Sequence, residues 1–136
     1  QLVATQKASK SAYSAAGITA RDVDLAEVHD CFTIAEMIAT EDLGFADSGQ
    51  GGIFARNGEG IRNEGSVCLN PSGGLKSKGH PLGATGTGQA VEVFKQLRGS
   101  VESERQVRDA EIGITHNVGG SGATCAVHVF GRDRNE

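Results

Sequence analysis

With 136 residues the chain is long enough for one domain with its own core. Its net charge of -4 excludes the Lys/Arg-rich surface that a nucleic-acid module needs, and no apolar run approaches a membrane span. The N-terminus shows no signal-peptide pattern.

Cys31, Cys68 and Cys125 are an odd set without repeating spacing, which makes a poor disulfide framework and points to a reduced, cytoplasmic setting. The chain begins at Gln1 and not at Met, so it reads as a fragment, a processed piece or an engineered stretch. Aromatics are few, and the 20 glycines lie mostly between Gly44 and Gly122. A core built from Val, Ile, Leu and Ala fits α/β layers.

Leu2 to Ala16 reads as a helix with a small-residue stripe at Ala4, Ala8, Ala12 and Ala15, stopped by Gly17. Ile18 to Val23 is a connector in which Thr19 can cap a short turn. Asp24 to Val28 reads as a strand, and His29-Asp30-Cys31-Phe32 closes it. A helix follows, with Phe32, Ala35, Ile38 and Ala39 at helical spacing, ending near Leu43-Gly44. Phe45 to Glu64 is glycine-rich and weakly patterned. Ser66 to Leu69 reads as a short strand running into the loop Asn70–Gly88.

The next helix spans Gly83 to Leu97, with Ala90, Val91, Phe94 and Leu97 as its expected buried stripe. Gly99 to Asp109 is charged and reads as a solvated connection. Glu111 to His116 and Ala123 to Phe130 read as strands joined by a tight turn at Asn117–Gly122, hence antiparallel. Gly131 to Glu136 is a polar tail expected to fray. This order predicts a parallel sheet finished by an antiparallel edge.

Three stretches carry candidate chemistry. His80 stands between Gly79 and Pro81, so its backbone is restricted, and a neutral imidazole there can take a thiol's proton or bond a carbonyl. A loop histidine that only bonds locally is the alternative. His29 and Cys31 lie two apart at a strand–helix junction, where a helix dipole favours a thiolate; a packed cysteine is the commoner reading. His116-Asn117-Val118-Gly119-Gly120-Ser121-Gly122 can aim backbone N–H groups at one spot, as an oxyanion hole does, or can simply be a hairpin turn. His29, Cys31, His80, His116 and Cys125 lack the spacing of a zinc site, so no metal is expected. Gly83 to Gly88 lacks the phosphate-loop registers. Lys76 and Lys78 read as surface charge, and Cys68 as a packed strand residue.

Together these stretches resemble the C-terminal half of a thiolase, of the sterol-carrier-protein-2 type and its archaeal relatives. Asn70-Pro71-Ser72-Gly73-Gly74 through Gly79-His80-Pro81-Leu82-Gly83-Ala84-Thr85-Gly86 is similar to that family's GHP block, and His29-Asp30-Cys31-Phe32 to its HDCF block. His116-Asn117-Val118-Gly119-Gly120 sits where most thiolases carry CxG. The resemblance runs from about Leu2 to Phe130 and treats 1–136 as a thiolase C-terminal domain whose N-terminal half is absent.

The resemblance implies a thiolase-like α/β half: a layered mixed sheet with helices, a C-terminal antiparallel hairpin, and a first, central strand missing before the opening helix, which would leave two central strands unpaired. It also implies acyl transfer between a cysteine thioester and coenzyme A, with a coenzyme A thioester as substrate and no permanently bound cofactor. His80 would activate the nucleophilic cysteine and polarise a thioester oxygen. His29 would match the NEAF asparagine that anchors a water in one oxyanion hole, and the Gly119 N–H would serve the other. Asn117 stands in place of the CxG cysteine, which shifts the acid/base role to Cys31. Asn117 and Gly79 would line the substrate. The nucleophile itself would come from the N-terminal half, in the same or a separate chain, and an oligomer is expected. The alternative is a non-catalytic subunit that docks a partner carrying the nucleophile.

Overall fold

The computed structural model describes residues 1–132; of the tail expected to fray, 133–136 lie outside the described residues. Helix α1 (Val3–Ala16) ends where Gly17 turns left-handed at φ 68°, and its N–H reaches the Ser14 carbonyl. The Asp22 carboxylate then accepts both the N–H and the hydroxyl of Thr19 at 2.7 Å, closing a single 3₁₀ turn at Ala20–Asp22. Strand β1 (Leu25–Glu27) follows and leads into α2 (Thr33–Asp42).

The glycine-rich stretch contains a helix that its composition hides, α3 (Gly51–Arg56). Only glycine fits at its first position, since a Cβ on Gly51 would lie 2.4 Å from the Met37 carbonyl oxygen of α2. Strand β2 (Cys68–Leu69), a five-residue helix α4 (Gly74–Lys78) inside the expected loop, and α5 (Thr85–Leu97) complete the middle of the chain. Strands β3 (Ile112–Gly119) and β4 (Thr124–Gly131) form the hairpin. Its strands run further than the sequence suggests. Asn117 and Gly119 belong to β3, and the turn shrinks to residues 120–123.

The sheet order is β2-β1-β3-β4. β1 runs parallel to both of its neighbours, and β4 closes the sheet antiparallel to β3. The two central strands are not left unpaired as expected: Leu25 pairs directly with Gly113, Ala26 with Ile114 and Glu27 with Thr115. The outer side of β2 is occupied by an irregular segment, since the Val67 and Leu69 N–H groups donate to the Glu59 and Gly60 carbonyls at 3.3 and 3.0 Å. Among the described residues, the outer side of β4 has no such cover.

Strand alternation sends Ala26, Val28 and Ile114 to one face, where they meet Ala39, Leu43 and Phe54. Leu25 faces the other way and packs with Val93 and Leu97 of α5 and with Val107 and Ala110. The result is helix, sheet, helix, with β1 buried on both faces as a central parallel strand should be. Val93 reaches the sheet because Gly113 has no side chain: a Cβ there would stand 2.6 Å from Val93 Cγ1.

Helix α5 corrects one expectation. Val91 and Phe94 are 47% and 55% exposed, while Gln89, Glu92 and Gln96 are buried beside Val93 and Leu97. The polar face is inside because it has work there. Gln96 accepts the Val107 N–H at 2.9 Å and donates to the Arg105 carbonyl at 3.0 Å, and Glu92 pairs with the Arg105 guanidinium. That network draws Val107 and Ala110 into the core, while residues 99, 100, 102–104, 108 and 109 stay exposed as the solvated connection expected. In α1, likewise, the most buried residues are Thr5 and Ser9 and not the alanine stripe. Among the described residues, no helix is long and apolar enough to cross a membrane.

Candidate active site

Beyond Glu27 the chain leaves the sheet as Val28-His29-Asp30-Cys31. The Val28 N–H donates to Asn70 Oδ1 at 2.8 Å, which ties this exit to the start of the long loop. The His29 N–H donates to Nδ1 of His116, on β3, at 3.3 Å. Because Nδ1 accepts, the proton of that ring lies on Nε2, which donates to the Thr5 hydroxyl of α1 at 3.1 Å. His116 is buried, and burial first, then the nearness of His29, pushes its pKa down to about 4. It is a neutral spacer between α1 and the His29 backbone.

The His29 side chain lies between β3 and the long loop, only 8% exposed. Its ring meets that of His80 edge to face, with centroids 4.9 Å apart and planes at 89°. Burial, then proximity to His80, lowers the His29 pKa, so the ring is neutral at pH 7. The Asn117 side chain is within hydrogen-bonding reach of this ring, while its Nδ1 is buried with no partner among the described residues.

His80 follows directly on Gly79, whose φ of 81° bends the chain out of α4. Its Nδ1 is 2.7 Å from Thr85 Oγ1, at the start of α5. The Thr85 hydroxyl has one proton, and the Pro81 carbonyl 3.3 Å away takes it. Nδ1–H of His80 then donates to Thr85, which leaves the lone pair on Nε2, the side of the ring away from this bond. His80 is exposed at this surface.

Asn117 points to the α5 side of β3. Its Nδ2 donates to Gln89 Oε1 at 3.3 Å, and Gln89 Nε2 donates to the His116 carbonyl at 3.0 Å. Gly119 lies two residues further along β3 and so on the same face as Asn117. Cys31 is exposed and stands just before Phe32, the N-terminal boundary residue of α2, and thus outside the helix. Cys68 is buried, and burial pushes its thiol up to about 12, which fits a packed residue.

The structure therefore brings His29 into contact with both His80 and Asn117, residues of three separate stretches, with Cys31 and Gly119 on the adjoining segments and Gly79 as the bend that delivers His80. Sequence reading missed the supporting groups: Thr85 under His80, Gln89 behind Asn117, and the Thr5–His116 pair behind His29. One signal was available for Gln89. Polar residues recur at helical spacing along Gln89, Glu92 and Gln96, which marks a buried polar face once the apolar residues are not assumed to point inward.

The sequence profile described as "Thiolase C-terminal domain-like" matches residues 1–132. The chain is 54% identical over 129 residues to the acetyl-CoA acetyltransferase of Methanothermobacter thermautotrophicus, covering 95% of this chain and 33% of that protein. It is 43% identical over 119 residues to human (Homo sapiens) sterol carrier protein 2, covering 88% of this chain and 21% of that one. The chain thus spans a third or less of the length of these relatives. Among solved structures, a chain of the "Ltp2-ChsH2(DUF35) aldolase" superimposes with a TM-score of 0.81 at 23% identity, over 96% of this chain and 32% of that one, a likeness of fold. With a profile that matches nearly every residue and this sheet topology, the chain belongs to the thiolase family as a C-terminal-domain-like portion.

Proposed function

We propose that this chain supplies the acid/base and oxyanion-hole groups of a thiolase-type acyl-CoA acyltransferase, working against a thiol carried by the N-terminal half. His80 Nε2 takes the proton of that thiol. The thiolate attacks the β-keto carbonyl of a coenzyme A thioester, and the developing oxyanion is held by donors at this site. Carbon–carbon cleavage leaves an acyl-cysteine and an enolate, to which the Cys31 thiol gives a proton. The Cys31 thiolate takes the thiol proton of coenzyme A, the coenzyme A thiolate takes the acyl group as a thioester, and His80 returns its proton to the departing cysteine. Condensation runs the same steps backwards. His29, whose buried Nδ1 lacks a partner among the described residues, would hold the water that completes one hole with His80, and the Gly119 N–H would serve the other. Asn117 and Gly79 would shape the wall that meets the substrate.

The observation that carries this reading is the edge-to-face contact of His29 and His80, imidazoles delivered by the end of β1 and by the loop after α4, with the exposed Cys31 thiol two residues from His29. The test uses the protein in which this chain is joined or bound to its N-terminal half. Incubated with acetyl-CoA, it should form an acyl-cysteine detectable by mass spectrometry on a residue outside this chain. His80→Ala should slow that step by roughly 10²–10⁴-fold, the usual contribution of a positioned base. Acylation of Cys31 itself, or acylation indifferent to His80→Ala, would refute the assignment. The 136-residue chain alone should show no acetoacetyl-CoA thiolysis.

A further inference from the structure

We propose that Glu27 and Asp30 are positioning residues for His80: two buried carboxylates that grip the backbone of residues 72–76 and thereby fix where α4 starts and where the histidine after it emerges. Asp30 is 0% exposed and Glu27 is 1% exposed. They leave the end of β1 on either side of His29, and a buried carboxylate needs donors to offset its desolvation. The donors come from one segment. Asp30 Oδ1 accepts the Leu75 N–H at 2.7 Å, and Oδ2 lies 3.5 Å from the Lys76 N–H. Glu27 accepts the Ser72 N–H at 2.9 Å and the Ser72 hydroxyl at 2.7 Å. The Ser72 oxygen in turn accepts the Gly74 N–H at 3.2 Å. Lys76 Nζ stands 4.0 Å from Asp30 and Lys78 Nζ 3.9 Å from Glu27, so the positive charge also comes from α4.

The segment is shaped to the grip. A Cβ on Gly74 would lie 2.2 Å from Asp30 Oδ2, and the residue has φ +66°. Helix α4 has five residues, too few to hold itself in place, so its position follows from what holds its first turn. Its last residue, Lys78, is separated from His80 by Gly79 alone. Whatever fixes Ser72 to Lys76 therefore fixes the imidazole against His29. The proposed function gives the placed imidazole its task, but the placement is readable without any turnover, so failure of one leaves the other standing.

The test is NMR on the 136-residue chain. The edge-to-face contact should displace the His29 and His80 ring-proton shifts from those of free imidazole. Asp30→Ala and Gly74→Ala should each move both rings toward the free values and speed Leu75 and Lys76 amide exchange by about tenfold or more, with cooperative unfolding retained. Asp30→Asn keeps an acceptor for the Leu75 N–H and should leave the ring shifts near wild type. Adding Gly74→Ala to Asp30→Ala should have a smaller effect than Gly74→Ala alone, because the clashing carboxylate is gone and only the backbone strain at φ +66° remains. Ring shifts unchanged in Asp30→Ala, or lost equally in Asp30→Asn, would overturn the proposal. Should Asp30→Ala fail to fold, Asp30→Asn against Gly74→Ala decides it by the same criterion.

Discussion

Acidification should weaken the fold in a way that one residue reports. His116 is fully enclosed, and its pKa falls from 6.5 to about 4. Between those values the unfolded chain binds a proton that the folded chain does not, so stability is complete above pH 6.5 and declines as pH falls toward 4. One proton is worth about 1.36 kcal/mol per pH unit, which makes the loss across the window about 3 kcal/mol. That is a large part of the stability of a domain this size, typically about 5–15 kcal/mol. Urea denaturation in steps from neutrality to about pH 4 measures it. His116→Gln keeps an acceptor and a donor but does not titrate. Its stability should therefore fall less steeply, by up to one proton's slope, whatever its stability at neutrality. The carboxylates titrate in both proteins and drop out of the difference, and His29, whose nearness lowers the His116 pKa less than burial does, adds only the smaller part of it. Parallel pH dependences would refute the enclosed, neutral state of His116.

Two further outcomes follow from packing and exposure. Gly113→Ala should cost about 1–3 kcal/mol by driving Val93 off the sheet, and Val93→Ala in the same chain should return part of it; urea midpoints check both. Iodoacetamide should label Cys31 first, Cys125 more slowly, and Cys68 only on unfolding, because burial raises both of the latter thiols. Peptide mapping over time reads this order, and early loss of Cys68 would contradict the packing of β2.

The sequence exposes those parts of this fold in which local pattern and tertiary role coincide. Gly17, the Thr19–Asp22 turn and the two long strands of the hairpin are visible because each is decided within a few residues. The GHP and HDCF stretches stand out for the same reason, and both supply site residues. The buried faces of α1 and α5 are not visible. There the inward residues are Thr5, Ser9, Gln89 and Gln96, whose partners lie elsewhere, and an amphipathic reading places apolar residues inward by default. The contact of Thr5 with His116 spans 111 positions, and no spacing rule reaches that far. Helix α3 was hidden by its glycines, which serve its close approach to α2.

The two edges of the sheet differ in a way that limits how it can grow. On one side the Glu59 and Gly60 carbonyls already take the N–H groups of Val67, just before β2, and of Leu69 within it. On the other, β4 offers eight residues of backbone. A sheet with two open edges can stack strands without end, as fibres do. A sheet with one can add a single neighbour there; if that neighbour is another copy joined edge to edge, both edges are used and growth stops at a pair. An edge-to-edge pair formed through β4 would therefore be self-terminating.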